Sequence, residues 1–270
     1  MSGELTKMYA CIPYSKTPET IEEDYDRQID KVYEDLRNSD IEREEDVIYD
    51  QNGDLTRVDF WGPQTAEKLL IMFHGGYWLF GSRKKCLSIV KTARNHGYTV
   101  ASIGYDFANK HHPLSKTIEE SMNGVDFVLN RFKNCKKVVI AGHSVGAHLV
   151  FQAITRPNLD NRVKGAFLIA GLYQLEEFAN TDYGKELSLT PSEAKQFSCN
   201  FELLRNLTFP ILSTIGKLEA PMLYEQNLQF SKYPVDLKIY PTEDHFSVLT
   251  DLQTEENVIF NDFYNFLSGI

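Results

Sequence analysis

The sequence predicts an α/β fold in which a mostly parallel, doubly wound sheet carries helices on both faces and an antiparallel hairpin at its start. Three features carry that expectation. Short apolar runs rich in β-branched residues alternate with segments of helical periodicity, the pattern of strand–crossover–strand units. One such run, Val138-Val139-Ile140-Ala141, leads directly into Gly142-His143-Ser144-Val145-Gly146 and then a helix-compatible segment, Ala147 to Ile154. With 270 residues, 42% of them hydrophobic, the chain can bury about three-quarters of its unfolded surface in one core, so residues 1–270 read as a single domain.

The elements follow in order. From Glu19 to Asn38, residues Ile21, Tyr25, Ile29, Val32, Tyr33 and Leu36 recur at three- and four-residue spacings. That is an amphipathic helix (19–38) packed on the domain, across its body or over the site entrance. Val47 to Tyr49, the Asn52-Gly53 turn and Leu55 to Trp61 form a hairpin signal. Lys68 to Phe73 is a continuous apolar strand that delivers His74-Gly75-Gly76-Tyr77-Trp78 at its C-terminal end. A helix through Cys86 to Asn95 and a strand at Thr99 to Ile103 follow. Next comes a long helix with Ile118, Met122, Val125, Leu129 and Phe132 on one face. Beyond the serine motif lie a strand from Val163 to Ala170 and an irregular or helical stretch to Leu207. A strand at Pro210 to Ile215, a helix at Met222 to Ser231, a strand at Val235 to Tyr240 and a helix at Val258 to Leu267 complete the chain. Within the irregular stretch, Thr190-Pro191-Ser192-Glu193 opens a helix with a cap, a first-turn proline and a capping box.

Fourteen Asp and Glu against four Lys and Arg in residues 19–50 account for the whole net charge of −10. This acidic balance argues against nucleic acid and anionic membrane as partners, and the acidic stretch reads most simply as a solvated helix face. No apolar run approaches the ~20 residues of a membrane span, and Met1 to Tyr14 lacks the basic and apolar regions of a signal peptide. Cys11, Cys86, Cys135 and Cys199 have no paired spacing, which suits reduced thiols in the cytoplasm. No Cys/His cluster has zinc-ligand spacing, so no metal is expected.

Gly-x-Ser-x-Gly between a strand and a helix is the context of a nucleophile elbow, in which Ser144 projects from a turn too tight for side chains at Gly142 and Gly146. A serine hydroxyl needs a base, and open α/β sheets gather their sites at the carboxyl ends of strands. His245 alone follows the last strand, in Thr242-Glu243-Asp244-His245-Phe246. His74, His143 and His148 sit inside the two glycine motifs, where structural hydrogen bonds are the usual role. His96, His111 and His112 precede the nucleophile and read as surface residues. The orienting acid should follow the preceding strand, in Gly216-Lys217-Leu218-Glu219-Ala220-Pro221, which selects Glu219 with Asp244 as its rival. The order Ser144, Glu219, His245 is that of the α/β-hydrolases. Val145 N–H and the His-Gly-Gly loop, through Gly76 and Tyr77, supply the oxyanion donors. Tyr77 and Trp78 are candidates for the pocket wall as well as for core packing.

His74-Gly75-Gly76-Tyr77-Trp78 and Gly142-His143-Ser144-Val145-Gly146-Ala147-His148-Leu149 together resemble kynurenine formamidases (arylformamidases), within the His-Gly-Gly branch of esterases and lipases. Ala170 to Glu176, Leu189 to Ala194, Gly216 to Pro221 and Asp244-His245-Phe246 extend the likeness over residues 20 to 268. One departure stands out, because the family usually has Asp where this chain has Glu219, one methylene longer. The resemblance implies hydrolysis of N-formyl-L-kynurenine to L-kynurenine and formate in tryptophan breakdown. It also implies a cytoplasmic, cofactor-free enzyme with a small aryl formamide as its partner, and with a homodimer among its assemblies. A general small-acyl carboxylesterase and a catalytically silent ligand receptor are the alternative readings. For the substrate's amino-acid end, Arg83, Asn109 and Tyr105 are within consideration without being assigned.

Overall fold

The computed structural model describes residues 2–270. Eight strands form one sheet in the order β1-β2-β4-β3-β5-β6-β7-β8. They are β1 (Arg43–Ile48), β2 (Arg57–Trp61), β3 (Lys68–Phe73), β4 (Tyr98–Ile103), β5 (Lys137–His143), β6 (Val163–Ile169), β7 (Ile211–Leu218) and β8 (Asp236–Asp244). β1 and β2 pair antiparallel, as do β2 and β4, and every later pairing is parallel.

The central strands are apolar throughout because both faces of the sheet are covered. Leu69, Ile71 and Phe73 of β3 and Val138 and Ile140 of β5 point into one core. Leu70, Met72, Val139 and Ala141, at the alternating positions, point into the other. The helices are α1 (Ser2–Tyr9), α2 (Ile21–Asn38), α3 (Val90–Asn95), α4 (Leu114–Arg131), α5 (Val145–Ile154), α6 (Asp182–Glu186), α7 (Pro191–Phe197), α8 (Pro221–Leu228), α9 (Ser247–Thr250) and α10 (Val258–Gly269). α4, α5 and α8 feed side chains such as Val125, Leu149 and Leu223 into the first core. α2, α3 and α10 contribute Val32, Val90 and Phe263 to the second.

Several elements differ from the sequence expectation, each for a local reason. The hairpin begins earlier, at Arg43, and carries a bulge between Glu44 and Val47. There Asp46, at φ 61°, donates its N–H to buried Asp59 at 2.7 Å. The expected helix from Cys86 breaks into a 3₁₀ segment, Arg83–Ile89, with non-helical Cys86, followed by α3. β8 runs on past Pro241 to Asp244, which an edge strand tolerates because its outward N–H positions need no ladder partner. The Thr190 capping box forms as the sequence spells it. Helix α1 has no counterpart in the sequence reading, and it proves to touch the site.

Candidate active site

β5 and α5 hold the serine between them. Ser144 sits at φ 58°, ψ −123°, a region that a side chain normally avoids. Its N–H bonds Ile169 O at 2.8 Å, and Ala147 N–H returns to Ser144 O at 3.0 Å. A Cβ at Gly142 would run into the Gly146 carbonyl, and one at Gly146 into the Phe73 carbonyl at the end of β3. Only glycine lets the elbow close against its neighbours.

The loop after β3 is strained in the same way. Gly76, Tyr77 and Trp78 take φ values of 110°, 52° and 59° in succession. Leu79 and Phe80 N–H both bond Gly76 O, at 2.9 and 3.1 Å, which folds the loop back on itself. Among the described residues no carbonyl accepts from Gly76 or Tyr77 N–H, and Val145 N–H is an orphan donor of the α5 N-terminus. These three donors belong to the two loops that flank Ser144. Side chains hold the strained turn in place. The Tyr77 ring stacks on Tyr183 at 4.2 Å, and its hydroxyl donates to Tyr9 O of α1 at 2.6 Å.

Glu219 and His245 meet at the far side. The imidazole Nδ1 lies 2.7 Å from Glu219 Oε2, and both side chains are almost fully buried. Glu219 curls so that its other oxygen, Oε1, accepts from Ala220 N–H at 2.8 Å, and that fold-back takes up the extra methylene. The partner at Nδ1 sets the tautomer, leaving Nε2 free to act as a base. Burial alone would lower the His245 pKa, but the Glu219 carboxylate against Nδ1 holds it well above the usual histidine value. Ser144 and His245 line one cavity. Among the described residues no hydrogen bond joins Ser144 Oγ to the ring, as is common in unliganded sites, where that contact tightens on binding.

Asp244, the rival acid, has a different task. Its carboxylate accepts from the N–H groups of Lys16, Phe246 and Ser247 at 2.8, 3.0 and 2.7 Å, so it ties down the loop that presents His245. His143 supports that loop from below, with Nε2 2.8 Å from His245 O. Burial and the neighbouring His245 keep His143 neutral, its pKa well below the usual value. His74 stacks on Tyr105 at 4.3 Å, His148 Nε2 bonds Phe197 O at 2.7 Å, and burial lowers the pKa of each to about 4. All three are structural.

The cavity above Ser144 has a volume of about 510 Å³. Its walls include Tyr25, Tyr77, Tyr183 and Phe246, and at its rim stand Glu22, Asp26 and Lys85. Helix α2 therefore covers the entrance through Tyr25, which packs edge-on against Phe246 at 5.3 Å. The pocket assignment of Trp78 is corrected: its side chain is fully buried, edge-on to His148 and Phe178, and braces the loop. Arg83, Asn109 and Tyr105 do not line the cavity either. Arg83 is held in an ion pair with Asp59 at 2.9 Å, Tyr105 lies under His74, and Asn109 sits in an exposed turn. Tyr25, Lys85, Tyr183 and Cys11 escape sequence reasoning because each sits in a segment whose pattern reports only packing.

A family profile described as alpha/beta hydrolase fold matches residues 70–205. Kynurenine formamidase from Danio rerio is 25% identical over 220 residues, covering 75% of each chain. The Drosophila melanogaster kynurenine formamidase is 29% identical over 136 residues, 46% of this chain and 44% of that one. Among solved structures, a candidate thioesterase from Silicibacter sp. superposes with TM-score 0.82 at 20% identity, covering 98% of this chain and 99% of its own. A Pyrobaculum calidifontis esterase gives 0.70 at 20% identity, covering 93% and 92%. The matched profile spans the His-Gly-Gly loop after β3, the Ser144 elbow and the strands between them, and the chain belongs to the alpha/beta hydrolase fold family.

Proposed function

We propose that the protein is a serine hydrolase that cleaves the formamide of N-formyl-L-kynurenine, releasing L-kynurenine and formate. The observation that carries this reading is His245, paired with buried Glu219, lining the same cavity as a strained Ser144. His245 Nε2 takes the Ser144 proton as Oγ attacks the formyl carbon. Gly76, Tyr77 and Val145 N–H groups meet the oxyanion, each donor being worth roughly 3–4 kcal/mol in such holes. The C–N bond then breaks, the arylamine leaves with the proton from His245, and a formyl ester remains on Ser144. Water, deprotonated by the same imidazole, hydrolyses that ester to formate. A formyl group carries no side chain, so the space near Ser144 can be given to the aryl ring, against Tyr77, Tyr183 and Phe246.

Lys85 at the rim suits the substrate carboxylate, and Glu22 and Asp26 suit its ammonium group. The kynurenine formamidase relatives support the substrate, and four buried free thiols suit a reducing, cytoplasmic setting. A homodimer is compatible with this scheme. A general small-acyl esterase is the second reading, favoured by the esterase names of the structural neighbours. The deciding measurement is kcat/KM for N-formyl-L-kynurenine beside p-nitrophenyl acetate and butyrate, with wild type and Ser144→Ala. A formamide preference of several orders of magnitude, abolished in the variant, supports the formamidase. Equal or better rates on the esters support the general esterase, and no serine-dependent turnover at all leaves a ligand receptor.

A further inference from the structure

Cys11 has no part in the chemistry above, yet it is placed among its parts. It lies just after α1, is buried, and lines the cavity beside the triad. Its Sγ is 3.2 Å from the Tyr77 hydroxyl. One ligand atom from each of Cys11, Glu219 and His245 lies within 4.8 Å of the other two. Sulfur, imidazole nitrogen and carboxylate oxygen are the donors that zinc selects, and three protein ligands with an open fourth position form a familiar zinc arrangement. Zinc bonds of about 2.0–2.3 Å at tetrahedral angles set ligand atoms roughly 3.3–3.6 Å apart, so the metal would part Nδ1 and Glu219 Oε2 from their 2.7 Å contact and draw the Cys11 sulfur in toward them. The three residues come from separate loops, so sequence spacing could not have revealed the set.

We propose that Cys11, Glu219 and His245 form a binding site for Zn²⁺ that switches the hydrolase off. Binding releases the Cys11 thiol proton to solvent and forms a Zn–S bond, with no change of oxidation state. If the metal takes Nδ1, the imidazole proton moves to Nε2 and occupies the lone pair that Ser144 needs. That leaves Ser144 without a proton acceptor, and Glu219, now a metal ligand, no longer orients the ring. Because the thiol must lose a proton, zinc binds more tightly as pH rises. The site rests on the placement of the triad and not on the identity of the substrate.

The test begins with protein stripped of metal by chelator and dialysed. ZnCl₂ is titrated into p-nitrophenyl acetate turnover by wild type and Cys11→Ala, each referred to its own metal-free rate. Wild type should lose at least nine-tenths of its rate, recover it on adding EDTA, and ignore Mg²⁺. Cys11→Ala should need at least tenfold more Zn²⁺ for half-inhibition. A second readout needs no turnover: Co²⁺ added to Ser144→Ala should give the near-ultraviolet sulfur-to-cobalt absorption, absent in Ser144→Ala/Cys11→Ala. Equal zinc sensitivity in wild type and Cys11→Ala, a zinc-insensitive wild type, or a missing cobalt–sulfur band would each overturn the proposal. Failure of formamide hydrolysis would leave the cobalt result untouched, so the two proposals fail separately.

Discussion

The two halves of the site are built by different means. Ser144 and the Gly76–Tyr77 donors stand on the ends of adjacent central strands, β5 and β3, and are held by glycines and strained backbone within a few residues of the reacting atom. His245 and Glu219 stand beyond the ends of β8 and β7, near the sheet edge, and depend on contacts from far along the chain. Lys16 bonds Asp244, His143 bonds His245 O, and Cys11 approaches the ring from the segment after α1. Local backbone geometry thus fixes Ser144, whereas a tertiary network fixes His245. The first half should fail by losing its shape, and the second by losing one partner at a time.

The largest effects are expected at the groups to which the proposed mechanism gives the chemistry. Ser144→Ala and His245→Ala should each lower kcat by about 10⁶, read in single-turnover or extended steady-state assays. Glu219→Ala should cost about 10⁴ in kcat, because the ring loses its tautomer and orientation while the nucleophile stays. Asp244→Ala separates orientation from loop anchoring. It removes an acceptor for three N–H groups and should destabilise the fold by about 1–3 kcal/mol in urea unfolding, with a smaller kcat loss than Glu219→Ala. The reverse ranking of those two variants would make Asp244 the acid.

The glycine half breaks differently. Gly142→Ala puts a methyl against the Gly146 carbonyl and should cost about 3 kcal/mol of stability, with activity falling as the elbow opens. The pH profile probes the other half. His245 must be neutral to take the Ser144 proton, and its pKa is raised, so kcat/KM should fall with decreasing pH from a point above the ordinary value of about 6.5. A limb centred below that value would mean that Glu219 does not hold the ring in the free enzyme. The smallest effect is expected at the rim. Lys85→Ala removes a partly exposed cation and should raise KM for N-formyl-L-kynurenine roughly tenfold or less, leaving p-nitrophenyl acetate nearly unaffected.

The sequence by itself determined the parts whose signal is local. Alternating apolar runs specify the parallel sheet because its central strands bury both faces, and the five residues of the elbow specify their own turn because Cβ atoms are excluded at Gly142 and Gly146. The order of Ser144, Glu219 and His245 along the chain narrowed the search to the ends of three strands. Tertiary structure decided which carboxylate meets the ring, since the end of β7 aims Glu219 at His245 while the end of β8 turns Asp244 onto the N–H groups of its own loop. It also decided that Trp78 braces the loop while Tyr25, on a helix read as packing, covers the entrance. Cys11 is the extreme case. Its neighbours Glu219 and His245 lie more than two hundred residues away, and only the folding of α1 onto the sheet's carboxyl edge brings a thiol to the His245 ring.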